Sequence, residues 1–497
     1  MTNGDYAIAV IDIGMTNKKV AVYDGSLRQL DAKYRNFAPK MEGEVETHDL
    51  EAMEEWFIKE LKSFAAQYPV KAIAVSAHGA TFVCVGEDGK PAVPCVYYTY
   101  EPGDAFYRLF YERFGDEKEL QARTGTPAFK ALINPAKGLF FTREKYPDAF
   151  KKVTAVLPYP QYWGFRFTGK TGVESTYMGN HTYLWDQLDN RISSVAQKLE
   201  IAALMPDKLM KSWDALGTVS AEFASKTGLP SETIVTMGIH DSNSAMLPHF
   251  ALKGERGFIL NSTGTWCVIM NPVTQYGFAP DELGKVVFFN ISAFGTPIKT
   301  AIFLGGQEFE TWSGIFMKRH GRADVPGWDE ETCRRILREK HLFLLPELTP
   351  GSGQFPSSKA RIVENGKNYL PSDCGSCSAE YGELFAALRV SLVMQTLAAL
   401  ERIGIQKGYE VYIEGGFRKD ESYNRLLSSA LAGNRVYLTN VIEASALGAA
   451  MTAKMALTKK SLRDMAGDLK VSYQEVEKIN LPELFSYREA WMEEAGK

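Results

Sequence analysis

Tyr6 to Asp24 reads YAIAVIDIGMTNKKVAVYD. Two β-rich runs, AIAVID and KVAVYD, flank a short turn containing Gly14, and this predicts a hairpin. A strand running straight into a Gly-rich loop and then a helix, as Walker and Rossmann sites require, would read differently. Outward from the hairpin, Leu50 to Phe64 has an amphipathic helical pattern, and KAIAVSAHG at Lys71 to Gly79 reads as a buried strand. The alternation predicts an α/β domain. PYPQYWGFRFTG, at Pro158 to Gly169, reads as a loop entering a helix.

The same device returns past the midpoint. GFILNSTGTWCVIM, at Gly257 to Met270, again places two apolar runs around a short polar turn. The pair reads as a weak internal repeat of two related α/β domains. Further on, Tyr381 to Ile403 has sustained helical periodicity with Gly404 as its cap, followed by the strand VYIEGG. A helix around Tyr423 to Leu431, a short strand at Arg435 to Leu438 and an Ala-rich helix at Glu443 to Met455 complete this half. No low-complexity linker separates the halves, which predicts a packed hinge between them.

Length and composition agree. A chain of 497 residues and 55.4 kDa exceeds one core and calls for two domains or three. Apolar residues at 45% and charged residues at 23% describe a globular chain. The net charge of −4 argues against nucleic acid or an anionic membrane as partner. The N-terminal residues lack a secretory signal pattern, and no run of about 18 apolar residues stands out as a span. Six sparse cysteines suit reduced thiols and a cytoplasmic setting, with a homodimer left open. Cys374 and Cys377 form a lone C-x-x-C, and the histidines are scattered, so no structural transition metal is expected.

The polar turns carry the candidate chemistry. Asp12 ends the first strand. Gly14, Thr16, Asn17, Lys18 and Lys19 supply backbone N–H groups, a hydroxyl, an amide and cations that suit phosphate oxygens, while Asp12 suits hydrated Mg²⁺. An ordinary hairpin with an Asx-type turn would also satisfy this pattern. Asn261, Ser262, Thr263, Gly264 and Thr265 give the second turn similar chemistry without a cation. Asp241, in VTMGIHDSNSAMLP, is placed to accept a hydroxyl proton, or to cap a helix.

Together these segments resemble the FGGY carbohydrate kinase family, of the actin, heat-shock chaperone and hexokinase superfamily, over nearly the whole chain. IDIGMTNKKVAVYD resembles the first phosphate motif, GIHDSNSA the catalytic-Asp segment, LNSTGTW the second phosphate motif, and IEGGFRKDESYNRLLSSAL with EASALGAAM the adenosine motif. The H-D pair and S-T-G-T-W resemble the branch with L-rhamnulose and L-fuculose kinases. The resemblance implies two tandem ribonuclease H-like (actin-like ATPase) domains, at 1–247 and 248–497, around an active-site cleft. It implies ATP and Mg²⁺ as cofactors, with Asp241 as the base and Asp12 holding Mg²⁺ through water.

By the same resemblance, Thr16, Asn17 and Lys19 approach the transferring phosphoryl group, Lys19 standing where the family usually has Arg. Thr263, Gly264, Thr265 and the Gly305-Gly306 turn contact phosphates. Gly415, Gly416 and Phe417 pack on adenosine, with Asn424 nearby. The sugar pocket departs from the family pattern: SAHGATFVCV lacks the usual acidic residue and VYYTYEPGD lacks D-x-R. His78, Gln161, Tyr162 and His240 are the sugar candidates left, and Tyr97, Tyr98 and Tyr100 read as packing residues. A polar aromatic pocket suits a deoxysugar. The expected reaction is ATP-dependent phosphorylation of a ketose, such as L-rhamnulose or L-fuculose. Rivals are a xylulose, ribulose, glycerol or tetritol kinase, a non-catalytic sugar sensor, and an actin- or chaperone-like ATPase.

Overall fold

The computed structural model describes residues 6–496. The opening hairpin forms as read. β1 (Ala7–Ile13) and β2 (Asn17–Asp24) pair antiparallel with Asp12 opposite Lys19, and the Gly14 N–H closes the turn on the Asn17 carbonyl at 3.1 Å. β3 (Gln29–Asn36) extends the meander. After α1 (Leu50–Ala65), capped by the Asp49 carboxylate, β4 (Val70–Ala77) lies parallel to β1. β5 (Ala215–Thr218) and β6 (Ile234–Thr236) extend the sheet in the order β5-β6-β4-β1-β2-β3, and the two-residue strand Ile239–His240 also pairs with β4. Continuous burial along β1 and β4 reflects helices on both faces.

The second half repeats this plan. β7 (Phe258–Thr263) and β8 (Cys267–Pro272) form the second hairpin; β9 (Val287–Ile291) and β10 (Pro297–Phe303) continue it antiparallel. β11 (Glu410–Gly415) and β12 (Arg435–Thr439) join β7 in parallel, and β13 (Tyr473–Glu475) closes the order β9-β10-β8-β7-β11-β12-β13. In each sheet an antiparallel meander leads on one side and parallel strands follow on the other. The weak sequence repeat is therefore a topological one. The segment from Tyr381, α5 (Tyr381–Arg402), is long and apolar enough to cross a membrane by composition, but it is buried as the central helix of the second core. The run expected as a loop entering a helix is helical from Tyr159 to Thr168, because Pro160 sits in the first turn, where a missing N–H costs nothing.

A third core joins the halves. α3 (Asp241–Lys253) and the Ala-rich α7 (Ala444–Thr458) lie between the two sheets, packed on Ile8, Val10 and Ala74 on one side and on Phe258, Leu260 and Tyr412 on the other. The division expected at residue 247 falls inside α3. Pro248 within that helix has no N–H to give the Ser244 carbonyl one turn back. Gly448 of α7 crosses at that carbonyl, where a Cβ would lie 1.9 Å from the oxygen. The Ser244 hydroxyl binds the Ser445 carbonyl at 2.6 Å and secures the crossing.

Candidate active site

Between the halves, the chain ends of β1, β7 and β11 and the N-terminus of α3 face one cleft. Asp241 is the first residue of α3, and His240 holds the cap position. The Oδ1 atom of Asp241 accepts from the Ser242 N–H at 2.6 Å and its hydroxyl at 3.2 Å, and lies 3.2 Å from His240 Nε2. Burial drives the His240 ring down to about 3, so it is neutral. A carboxylate at Nε2 requires the proton there; Nδ1 then accepts from the Asn243 amide at 3.1 Å. His240 is thus a neutral donor to Oδ1, which leaves Oδ2 for a ligand. Desolvation raises Asp241 to about 6, although a third of its side chain (32%) still meets the cleft. The His240 N–H binds the Thr176 hydroxyl at 3.1 Å, and that hydroxyl binds the buried Glu174 at 2.7 Å, which fixes the backbone leading into Asp241.

Asp12 is also raised to about 6, by burial and by the nearby Asp241 charge, against the Ser445 hydroxyl that donates to Oδ2 at 2.7 Å. Its Oδ1 is buried without a hydrogen bond, and neighbouring Ser76 lends its dipole but completes no bond. An unsatisfied carboxylate oxygen beside a cleft fits a hydrated divalent cation, so these residues suit Mg²⁺. Thr16 and Asn17 are exposed at the turn.

The two lysines differ from expectation. Lys19 shares the Asp12 face, but its ammonium is committed to Glu443 of the opposite half and to Gln29 Oε1 at 2.7 Å, with Tyr34 holding the other Glu443 oxygen at 2.7 Å. It does not project freely at a phosphoryl group. Lys18 points away from the cleft, because adjacent strand residues face opposite sides.

Three cavities meet here. One of about 350 Å³ is lined by Asp241, Ser262, Gly415, Arg418, Glu443 and Ser445. A second, of about 700 Å³, continues past Thr263, Gly264, Thr265, Gly306, Gly416 and Phe417 to Trp328. Two glycines make this path. Gly415, at φ +80°, and Gly306 would place a Cβ 1.9 Å from the Thr263 carbonyl and 2.0 Å from the Gly264 carbonyl. Gly305 opens the helix Gly305–His320 behind them. Gly264 and Thr265 are exposed to the cavity, but the Thr263 hydroxyl is spent on the Glu414 carbonyl and the Phe417 N–H, so it braces the turn. Asn424 likewise does not line the cavity; its amide donates to the Phe417 and Arg418 carbonyls at 3.0 and 3.1 Å and shapes the turn from behind.

The third cavity, of about 170 Å³, opens at Asp241 between the halves. His78 and His240 line it, joined by His181, Tyr98 and Asn290, against an apolar wall of Phe129, Trp266, Phe288 and Ile302. Tyr98 is therefore a pocket residue, while Tyr97 stacks on His48 and Tyr100 packs on Phe141. Gln161 and Tyr162 are corrections. The Gln161 amide caps the Met237 carbonyl at 2.7 Å in the domain core, and Tyr162 opens onto a different groove beside Arg166. Both His78 nitrogens and both polar atoms of buried Asn180 have no hydrogen-bond partner. Burial holds His78 well below its usual value and His181 near 3, so the pocket is uncharged apart from Asp241. His181 and Asn180 lie in GNHTYLWD, which has no periodic signal to mark it.

The sequence profile of the FGGY family of carbohydrate kinases, N-terminal domain, matches residues 7–248, and that of the FGGY C-terminal domain matches residues 255–461. The chain belongs to the FGGY family of carbohydrate kinases. Among curated proteins, this FGGY chain is 26% identical over 203 residues to a rhamnulokinase of Halalkalibacterium halodurans (40% of this chain, 41% of that one). It is 24% identical over 212 residues to an L-fuculokinase of Salmonella typhi (43% and 44%). The matches thus span only about two-fifths of these relatives' length. In three dimensions it superposes on a carbohydrate kinase from Novosphingobium aromaticivorans with a TM-score of 0.81 at 25% identity, covering 99% of both chains. The fold also matches a Plasmodium falciparum glycerol kinase with ADP, with a TM-score of 0.76 at 15% identity, covering 98% and 96%.

Proposed function

We propose that this FGGY chain transfers the γ-phosphoryl group of ATP to a hydroxyl of a ketose, and that the ketose is a 6-deoxyketohexose such as L-rhamnulose or L-fuculose. The observation that carries the reading is the position of Asp241, where the uncharged pocket and the phosphate-sized cavity meet. The hydroxyl oxygen bonds to the γ-phosphorus, its proton passes to Asp241 Oδ2, the γ-phosphorus–oxygen bond to ADP breaks, and ADP leaves. His240 holds the carboxylate in aim. Thr16, Asn17, Gly264 and Thr265 flank the phosphates. Asp12 would hold Mg²⁺ through water, and such an ion would supply charge neutralisation for the transferring phosphate.

The pocket's chemistry supports this choice of substrate class. The neutral imidazoles of His78 and His181, together with Asn290, offer donors and acceptors to hydroxyls, whereas no cation lines the pocket to await a sugar acid. The Phe129, Phe288 and Ile302 wall favours a methyl terminus over a hydroxymethyl, whose oxygen would lose its hydrogen bonds there. A coupled ADP-release screen over L-rhamnulose, L-fuculose, both xylulose enantiomers, ribulose, glycerol and tetritols tests this. ADP release that requires a 6-deoxyketose supports the reading, and a preference for xylulose or glycerol refutes the substrate. Sugar-independent ATP hydrolysis refutes the kinase reading. Asp241→Asn is expected to bind ATP but lose at least about a hundredfold in kcat.

A further inference from the structure

We propose that Lys18, buried behind the first phosphate turn, is a positioning residue that shapes this turn into an anion-binding nest. Lys18 is 1% exposed at a strand position where an apolar side chain is the ordinary choice, as at Val20 and Val22. Its ammonium donates to the Met15 carbonyl at 2.6 Å and approaches the Thr16 carbonyl at 3.5 Å. Among the described residues no carboxylate pairs with it, and the imidazoles whose fields reach it, His48 and His78, are neutral. Burial lowers it to about 8, so it remains charged at neutral pH. Desolvating an ammonium without a counter-ion is costly, and an apolar side chain in this slot would avoid that cost.

The peptide plane supplies a use for it. The carbonyl of one residue and the N–H of the next point in opposite directions across one rigid unit. Drawing the Met15 carbonyl inward turns the Thr16 N–H out to the cleft, where it has no backbone acceptor among the described residues. The weaker pull on the Thr16 carbonyl biases the Asn17 N–H in the same direction. Successive N–H groups turned to one side form an anion-binding concavity, and a positive charge behind it strengthens the field at its mouth. Lys18 touches neither substrate nor reacting atoms. It acts through the Met15–Thr16 peptide.

This inference rests on reading the hairpin as the phosphate grip, and the test separates the two. Dissociation constants of adenosine, ADP and ATP, with Mg²⁺ and without sugar, are measured by calorimetry on the whole chain and on Lys18→Met, which keeps the side-chain length but has no donor. The expected result is a loss of about tenfold in ATP affinity, a loss for ADP no larger than that, and none for adenosine or for the ketose. Equal losses for all three nucleotide ligands, or no loss, would overturn the role of Lys18. Wild-type protein that binds adenosine as tightly as ATP would instead overturn the phosphate-grip reading, and this inference with it. Lys18→Gln retains one donor for the Met15 carbonyl and should recover part of the ATP affinity; it keeps the test open if Lys18→Met does not fold. No recovery in a folded Gln variant whose ADP and adenosine affinities fall equally would also overturn the proposal.

Discussion

The acid limb of the pH–rate profile tests the site most directly. As the proposed base, Asp241 must be ionised to take a proton, and desolvation in the cleft raises it from the ordinary 3.8 to about 6. A carboxyl titrating near 6 is about nine-tenths ionised at pH 7 and about one-tenth at pH 5, so kcat/KM for the ketose should fall about tenfold over that interval. An Asp with its ordinary value would stay more than about nine-tenths ionised at pH 5 and give a flat profile. Asp12 is raised to about 6 as well. If its charge is also required, the two fractions multiply, and the fall becomes about a hundredfold with a limiting slope of two. A divalent cation displaces the proton on Asp12, so saturating Mg²⁺ should return the slope to one. The pocket imidazoles His181 and His240, lowered to about 3, stay neutral throughout and contribute nothing in this window. The assay is initial-rate ADP release at saturating ATP from pH 5 to 8, at limiting and at saturating Mg²⁺, with the coupling enzymes in excess at each pH. A profile flat from pH 7 to pH 5 would refute the claim that the cleft desolvates its base.

Three other perturbations follow from the packing and the charges. Asp12→Asn should raise the Mg²⁺ concentration for half-maximal rate while leaving the dissociation constant of the ketose unchanged, as read by titration of rate and by ligand-induced fluorescence change. Phe288→Asn places an amide on the apolar wall and should shift the kcat/KM ratio about tenfold toward ketoses ending in a hydroxymethyl group; an unchanged ratio would remove that wall from specificity. Gly448→Val should lower the melting temperature sharply, since its Cβ would sit 1.9 Å from the Ser244 carbonyl. Overpacking of this kind costs at least about 1–3 kcal/mol, and a melting curve identical to wild type would mean that α3 and α7 part freely.

How much of this was legible in the sequence depends on how local each feature is. Both hairpins were legible because strand alternation and a Gly-bearing turn are written in consecutive residues. Asp12 and Gly415 belong to the same class: each sits at a strand end whose backbone geometry the neighbouring residues dictate, whereas Gly306, in the first turn of a helix, was marked only by the family resemblance. The orientation of the lysines was encoded too. With Asp12 paired to Lys19, Lys18 must face the other way, so register alone distinguishes the cleft cation from the buried one. What captures Lys19 was not encoded locally, because Glu443 arrives from residues more than four hundred positions away.

The proposed sugar pocket was the least legible part, and its geometry explains why. Its walls come from the ends of separate elements in both halves: His78 after β4, Phe129 and His181 in loops, Phe288 and Asn290 on β9, Ile302 on β10. Of these only His78 was a candidate in the sequence; the others have no sequence neighbour that marks them, since a buried aromatic on a strand reads the same whether it faces a core or a cavity. Gln161 and Tyr162 misled for the converse reason. A polar aromatic run resembles a pocket, but the helix Tyr159–Thr168 turns Gln161 onto the Met237 carbonyl and Tyr162 away from the cleft. The proposed phosphate grip is backbone, which local sequence specifies through glycine and alternation. The proposed sugar pocket is built of side chains brought together only when two sheets close on a shared core. On this proposal, recognition of the sugar depends on how α3 and α7 set the halves, so a change at Gly448, which lines none of the three cavities at the cleft, should alter ketose affinity more than adenosine affinity in any variant that still folds.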